Sequence, residues 1–304
     1  MSTFVIEQTL NGLQLGLMLF LLAAGLTLVF GIMDLINLAH GSLYMFGGFL
    51  TVVFMRLTGS FALALPLGII ATGLVGALLE MTLLRRLYGR SHLSQVLATF
   101  GLILVSNDVI RFFFGPSAVM LDMPAALSQP LTMANGFSYS SYRLVVIAAG
   151  IVTAILLTLL INRTRFGMWI RAGASDRETA QAMGVNIKLV FTLVFALGAM
   201  LCALAGGLLG PLFSVQMGMG ESIIILAFVV VVIGGMGSIK GAFLGAIAIG
   251  FLDTFGRSVL PSVMRTYFPN LSADTMAPAI AAMLTYALMI AVLIWRPQGL
   301  FKTA

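Results

Sequence analysis

"NGLQLGLMLFLLAAGLTLVFGIM", residues 11–33, contains no Asp, Glu, Lys or Arg. A helix that crosses a bilayer needs about 20 consecutive apolar residues. The stretch therefore predicts a membrane-spanning helix. Further mainly apolar stretches that are long enough for a span follow it, at 37–57, 61–83, 93–114, 142–161, 189–213 and 277–295.

The composition of the whole chain agrees with this pattern. Of its 304 residues, 60% are hydrophobic and 9% are charged, whereas soluble domains carry about 25% charged residues. The chain is thus expected to form one domain over 1–304, an all-α, polytopic transmembrane helix bundle whose surroundings are the lipid bilayer. The net charge of +6 is expected to set orientation in the membrane rather than to bind nucleic acid.

One apolar stretch does not fit a simple span. Residues 222–255, "SIIILAFVVVVIGGMGSIKGAFLGAIAIGFLDTF", are long for one span and short for two, and "GGMGSIKG" interrupts them. Irregular backbone at membrane depth is tolerated only inside protein or beside a cavity. The sequence therefore predicts a broken or re-entrant glycine-rich segment here.

The basic residues predict an orientation, because cytoplasmic loops carry an excess of Lys and Arg. An outside N-terminus and a cytoplasmic C-terminus place ten basic residues inside and five outside, with Lys240 unassigned. The inner set is Arg85, Arg86, Arg90, Arg163, Arg165, Arg171, Arg177, Lys188, Arg296 and Lys302, and the outer set is Arg56, Arg111, Arg143, Arg257 and Arg265.

The expected cytoplasmic loop 162–188 contains a polar stretch, "GMWIRAGASDRETAQAMG" at 167–184. Ser175 followed by Glu178 has the S-x-x-E spacing of a capping box, and Gly184 stands where a helix would end. These features predict a short helix on the inner surface. Two interpretations remain open: an amphipathic linker held by lipid headgroups, or a docking element for a cytoplasmic protein.

Within that stretch, "ETAQAMG" (178–184) has the Glu-x-Ala-x-x-x-Gly spacing of the EAA loop of bacterial ABC importer permeases. Thr179 replaces the second alanine of that pattern, and its downstream I-x-L-P is absent. Four further stretches occur in the order and spacing of LivH-type permeases of branched-chain amino-acid importers, which the chain resembles over its length. They are "GLTLVFGIMDLINLAHGSLYMFGGF" (25–49), "AMGVNIKLVFTLVFALGAMLCALAGGLLGP" (182–211), "GGMGSIKGAFLGA" (234–246) and "RPQGLF" (296–301).

The resemblance implies a membrane permease of the bacterial inner membrane and not an enzyme. Implied partners are two ATP-binding subunits, a related LivM-type permease and an extracytoplasmic substrate-binding protein. ATP and Mg would belong to the ATP-binding subunits, with no cofactor and no catalytic residue in this chain. Coupling to the ATPases is expected from Glu178, Ala180 and Gly184, with Arg171 and Arg177 as flanking electrostatic contacts.

Polar residues within apolar stretches are candidates for a transport pathway, because their burial in lipid is costly. In "GIMDLINLAHGS" (31–42), Asp34, Asn37 and His40 could hydrogen-bond a break between spans and form a gate, or Asp34 and His40 could cap helices at a turn. The glycines of the interrupted segment, Gly234, Gly235 and Gly237, are gate candidates too, although small residues at such spacings are typical of close helix packing.

The other ionisable groups favour structural roles. Asp108 and Arg111, and likewise Asp253 and Arg257, are spaced to neutralise each other on a helix, and no run of such groups forms a proton relay. Glu80, near Arg85 and Arg86, is expected at the membrane interface. The glycine-rich segment lacks G-x-x-x-x-G-K-[ST], so no ATP site is expected. His40 and His92 are far apart in sequence, and no metal site is expected.

Three other functions remain open from the sequence. An importer of the same type could carry urea, an amide, an aromatic acid or another amino acid. A secondary transporter coupled to protons or sodium would need connected buried carboxylates. A passive channel for a small polar solute would conduct without partner subunits.

Overall fold

The computed structural model describes residues 2–132, 138–266 and 270–301. Over these ranges the chain is a bundle of eleven α-helices, which confirms the all-α, polytopic architecture. The helices are α1 (Ser2–Met33), α2 (His40–Thr58), α3 (Phe61–Thr82), α4 (His92–Phe114), α5 (Ser141–Arg163), α6 (Arg165–Ser175), α7 (Arg177–Ala182), α8 (Ile187–Leu209), α9 (Met219–Gly234), α10 (Ile239–Met264) and α11 (Asn270–Trp295). Two short antiparallel strands, β1 (Pro130–Thr132) and β2 (Ser138–Ser140), precede α5.

Eight helices in the described ranges are long and apolar enough to cross a membrane: α1 to α5, α8, α10 and α11. Seven of them lie at the positions of the seven expected spans. The main differences are at helix ends. Helix α1 begins at Ser2, before position 11, and α2 begins at His40 instead of 37, because residues 34–37 have no regular structure.

Helix α1 forms the centre of the bundle. The side chains from Leu17 to Ala24 are almost completely buried, and α1 packs against α5, α8, α9 and α10. Its approach to α10 requires glycine. A Cβ on Gly250 would lie 2.5 Å from the carbonyl oxygen of Gly12 and 2.5 Å from the nitrogen of Gly16. Gly12 and Gly16, four residues apart on α1, therefore let its backbone contact that of α10 at Gly250.

The interrupted segment consists of two helices joined by four residues. Helix α9 ends at Gly234 and α10 begins at Ile239, and the two helices pack side by side. With 16 residues, α9 is about 24 Å long, which is shorter than the roughly 30 Å hydrocarbon core. Whether α9 crosses the membrane or re-enters it stays a prediction.

The charged side chains inside the bundle are paired. Asp253 and Arg257 form the expected ion pair at 2.8 Å. The expected pair of Asp108 and Arg111 is wrong, because these two described side chains are more than 4.0 Å apart and form no ion pair. Glu80, two residues before the end of α3, is fully buried and accepts hydrogen bonds from Arg85 at 2.9 Å and from the Tyr88 hydroxyl at 2.6 Å. Pairing compensates the cost of burying its charge.

Candidate functional site

Helices α6 and α7 fold locally through side-chain caps. The Thr164 hydroxyl accepts a hydrogen bond from the Gly167 N–H at 3.1 Å and begins α6. Asp176 Oδ1 accepts from the N–H groups of Glu178 and Thr179 at 3.0 and 3.1 Å and begins α7. A cap of this kind satisfies N–H groups that have no partner within the helix.

The N-cap of α7 differs from the one that the capping-box spacing predicts. Ser175 is the last residue of α6, and Asp176, one residue later, is the cap. A carboxylate is a better cap here than a serine hydroxyl, because it accepts hydrogen bonds from two N–H groups and its negative charge is stabilised by the positive end of the helix dipole. The Thr179 hydroxyl also donates to Asp176 at 2.5 Å. Together these hydrogen bonds lower the pKa of Asp176 below its ordinary value.

The end of α7 is closed by a glycine turn, in the position that the sequence predicts. Gly184 has a φ of +88°. The Gly184 N–H donates to the carbonyl of Gln181 at 3.0 Å, and the Val185 N–H donates to the carbonyl of Ala180 at 3.1 Å. This pair of bonds is the Schellman arrangement, which glycine adopts without strain.

The candidate coupling residues of α7 divide into exposed and buried ones. Glu178 and Gly184 are exposed on the outer surface of the short helix, whereas Ala180 is 5% exposed and packs against the bundle. Met183, which the sequence did not single out, is 82% exposed at the end of α7. The outer face of α7 therefore combines a carboxylate, a glycine and a bare apolar side chain.

The two candidate arginines point back toward the bundle. Arg171 donates from Nη1 to the carbonyl of Ile161 near the end of α5. Arg177 donates from Nη2 to the carbonyl of Ile32 near the end of α1, at 2.9 Å, and its guanidinium lies over the Phe191 ring, 5.5 Å from the centroid. Arg177 thus joins α7 directly to α1 and α8.

A cavity of about 630 Å³ lies beside these arginines. Arg171 and Arg177 line it together with two of the candidate gate residues, Asp34 and Gly237, and with Lys240. The fold therefore brings together residues that are about 200 positions apart in sequence. The other gate candidates, Asn37, His40, Gly234 and Gly235, do not line this cavity.

The linker between α1 and α2, residues 34–39, begins with Asp34 at a φ of +51°. Its backbone is held by α4: the Ile36 N–H donates to Gln95 Oε1 at 3.2 Å, and the Leu38 N–H donates to the Thr99 hydroxyl at 3.3 Å. The side chains of Gln95 and Thr99 are both buried. Sequence reasoning missed them because their bonds to the linker join residues 59 and 61 positions apart.

Asn37 and His40 are buried in or beside this linker without hydrogen-bond partners among the described residues. Asn37 is 1% exposed and His40 is 0% exposed, and neither amide atom nor either ring nitrogen has a partner. The Asp34 N–H donates to the carbonyl of Phe30 at 3.0 Å and so closes the end of α1. Neither Asp34 nor His40 caps α2, whose N-cap residue, Ala39, makes no side-chain hydrogen bond. Buried polar groups of this kind are uncommon in native proteins.

The imidazole of His40 occupies a slot between two glycines. Its ring atoms would lie 2.7 Å from a Cβ on Gly25 of α1 and 3.2 Å from one on Gly198 of α8. The Phe195 ring lies edge-on at 6.4 Å between centroids. Only glycine at these two places leaves room for the ring.

The turn between α9 and α10, residues 235–238, is closed by the C-terminal segment. Gly235 and Gly237 have φ values of +99° and +86°. The Leu300 N–H donates to the carbonyl of Ile233 at 2.9 Å, and the Phe301 N–H donates to the carbonyl of Gly234 at 3.1 Å. The "RPQGLF" stretch therefore caps the end of α9, a role that its sequence does not reveal. Lys302 lies outside the described residues.

The described residues contain no group of three or more His, Cys, Asp or Glu side chains that could hold a metal ion. His92, the second histidine, contacts Gln95 at 3.4 Å on α4. The carboxylates that are buried in the described ranges, Glu80 on α3 and Asp253 on α10, are each paired with an arginine a few residues later in the sequence.

Comparison with known proteins is informative over nearly the whole chain. Residues 8–293 match the family described as branched-chain amino acid transport system, permease component. The high-affinity branched-chain amino acid transport system permease protein BraD of Pseudomonas aeruginosa is 30% identical over 97% of this chain and 95% of its own length. The corresponding LivH of Escherichia coli K12 is 27% identical over 98% of this chain and 95% of its own length. No solved structure matches the chain.

Proposed function

Since this chain belongs to the family of branched-chain amino acid transport system permease components, we propose that it is the membrane-spanning subunit of an ATP-binding-cassette importer for these amino acids. The observation that carries this function is the family match over residues 8–293, which runs from α1 into α11. An extracytoplasmic binding protein would deliver the substrate, and ATP and Mg would bind in two partner subunits. This chain would alternate between two packings of its helices.

The ATPases would dock on the outer face of α7. Glu178, Met183 and Gly184 are exposed there, and methionine is enriched in protein–protein interfaces. Ala180 lies beneath them and lets α7 pack closely on the bundle. The Asp176 cap and the Gly184 turn keep α7 helical although it is only six residues long, since an isolated helix of this length is unstable.

Movement of α7 would reach the membrane helices through the arginines. Arg177 contacts the carbonyl of Ile32 at 2.9 Å, two residues before the α1–α2 linker begins. Arg171 contacts the end of α5. We therefore assign Arg171 and Arg177 to transmission within this chain, in addition to any electrostatic contact with an ATPase.

A polar patch on α4 and α9 supports a second membrane subunit, a LivM-type permease in the family. The Asn107 amide donates to Glu221 at 2.5 Å, and Glu221 and Asp108 are exposed. Asn107 lies about 10 Å from the end of α4, at a rise of 1.5 Å per residue, and so within the expected bilayer. Charged groups at that depth face protein or water rather than lipid, so this patch would face the partner permease.

The proposed orientation in the membrane rests on the number of crossings and on the charges of the loops. Nine crossings, the eight long helices and α9, would leave the N-terminus outside and the C-terminus in the cytoplasm of a bacterium, with α6 and α7 on the cytoplasmic side of the inner membrane. The excess of Lys and Arg in the loops on that side supports this arrangement.

Reconstitution of the assembled importer in liposomes tests the function. Binding protein loaded with a branched-chain amino acid should stimulate ATP hydrolysis and uptake, and Glu178→Arg should abolish both by placing a cation where the carboxylate docks. Arg90→Glu is the matched control, because it reverses an exposed charge elsewhere on the same side. Uptake without ATPase subunits would instead favour an ion-coupled transporter or a channel, and stimulation by urea or an amide would favour other cargo.

A further inference from the structure

The cavity beside α6 is lined by the two arginines of the proposed transmission path and by Lys240, which that path does not use. It lies between the ends of α1 and α5, helix α6 and the start of α10. Its lining includes three cationic side chains, Arg171, Arg177 and Lys240, and one carboxylate, Asp34. The cavity therefore carries an excess of positive charge.

Donors of hydrogen bonds add to this charge. Helix α10, 26 residues long, begins at the cavity: Ser238 is its N-cap, and Ile239 and Lys240, its first two residues, line the cavity. The first N–H groups of a helix have no acceptor within it and carry the positive end of the helix dipole. Phosphate groups bind at such helix ends.

The wall of the cavity also contains a buried hydroxyl. Thr27 of α1 lines the same cavity, is 0% exposed, and its hydroxyl has no partner among the described residues. A buried hydroxyl without a partner costs free energy.

The surroundings identify the source of that ligand. Helix α6 follows the span α5 after one residue and buries Gly167, Ile170 and Gly173, while Met168 and Trp169 are 52% and 38% exposed. A helix that follows a span directly and exposes methionine and tryptophan beside its buried residues is typical of one that lies among lipid headgroups. The cavity is thus at headgroup depth, where basic pockets between helices bind anionic lipids.

We propose that this cavity binds the phosphate of an anionic phospholipid headgroup. Lys240 and the start of α10 would contact the phosphate oxygens from one side, and Arg171 and Arg177 from the other. Lys240 is the residue to test, because the arginines also hold the carbonyls of Ile161 and Ile32.

Native mass spectrometry of the full chain in detergent, titrated with phosphatidylglycerol or phosphatidylcholine, tests the site. The wild type should retain phosphatidylglycerol in preference to phosphatidylcholine. Lys240→Gln should weaken phosphatidylglycerol binding about fivefold, the effect of one cation near an anionic headgroup. Lys240→Arg should keep the affinity, and Lys188→Gln, which removes an exposed cation away from the cavity, should leave it unchanged.

Two results would overturn the proposal. The first is equal phosphatidylglycerol binding by the wild type and Lys240→Gln, or an equal loss with Lys188→Gln, which would mark general surface attraction. The second is displacement of the lipid by millimolar inorganic phosphate, which would assign the site to free phosphate. Because the readout is lipid binding, its failure leaves the transport function unaffected.

Discussion

The α1–α2 linker (34–39) and the α9–α10 turn (235–238) are two breaks in helical structure that lie next to each other, since Gly31 contacts Gly237. They are built in opposite ways. In the turn, the C-terminal segment donates to the carbonyls of Ile233 and Gly234. The linker contains the buried amide of Asn37, and α2 begins with the buried imidazole of His40, both without partners in the described chain.

This difference indicates which break moves. An unsatisfied buried polar group costs about 1–3 kcal/mol. Rearrangement of the linker region would therefore offset the loss of its two bonds to α4 by new bonds to Asn37 and His40, whereas the described residues of the turn include no such group to satisfy. Arg177 of α7 also holds the carbonyl of Ile32, just before the linker. We therefore expect the linker to shift during transport while the turn keeps its conformation. Substitutions in the two breaks and in their contacts test that contrast.

Gly235→Ala should unfold the turn most severely. The φ of +99° disfavours any side chain, and the added Cβ would lie 2.2 Å from the carbonyl oxygen of Phe301. Together strain and overpacking should cost about 3 kcal/mol, measured by thermal unfolding in detergent. Gly101→Ala is the control, since nothing lies within 4 Å of its Cβ. A wild-type stability for Gly235→Ala would mean that the turn is pliable.

Gln95→Leu should release the linker from α4. It removes the acceptor of the Ile36 N–H and two bonds from Nε2, to the carbonyls of Leu87 and Arg90 at 3.3 Å. Leaving these groups unpaired should cost about 2 kcal/mol of unfolding free energy. Thr99→Val, which removes the single acceptor of the Leu38 N–H, should cost about half as much. Equal losses in both variants would contradict this ranking.

Asn37→Leu should not lower the free energy of unfolding, because the amide that it removes is buried and already without partners. Transport by the assembled importer should nevertheless fall up to about tenfold, the worth of one hydrogen bond that forms only in the other state. Unfolding and ATP-driven uptake would be measured on the same preparation. A loss of stability as large as that of Gly235→Ala would show that Asn37 is a structural residue of a fixed linker.

The smallest effect is local and concerns α7. Hydrogen bonds from the Thr179 hydroxyl, the Thr179 N–H and the Glu178 N–H lower the pKa of Asp176. A carboxyl with a lowered pKa stabilises the helix fully above its ordinary pKa, and this contribution is lost as the pH falls through the lowered value. Protection of the α7 amides from hydrogen exchange should therefore fall in acid in the wild type. It should stay constant in Asp176→Asn, in which a neutral cap remains. The same pH dependence in both proteins would rule out the carboxylate as its cause.

Much of this architecture is predictable from the sequence, and the rest depends on contacts between distant residues. Apolar stretches place the long helices to within a few residues at most ends, because length and hydropathy decide what can span a membrane. The position of Gly184 is also predictable, because the end of a helix depends on residues that are adjacent in sequence. The capping-box spacing predicts Ser175 as the N-cap of α7, but the cap is Asp176. Serine and aspartate are both good N-caps, so the sequence does not choose between these neighbours.

The sequence could not reveal that Glu80 is buried, that Asp108 and Arg111 stay apart, or that the C-terminal segment caps α9. Each of these depends on a partner from another helix or on which way a side chain faces. The cavity is the clearest case, because Asp34, Arg171 and Lys240 meet there only after the bundle has assembled.

The most direct test of the contrast between the two breaks is a pair of spin-label distances in the assembled importer, with and without trapped ATP. One pair would join Asp34 of the linker to Met236 of the turn, both exposed, and the other would join Met236 to Phe301 of the C-terminal segment. If the linker moves and the turn does not, the Asp34–Met236 distance should change with nucleotide while the Met236–Phe301 distance stays constant. A constant Asp34–Met236 distance, or an equal change in both, would contradict it.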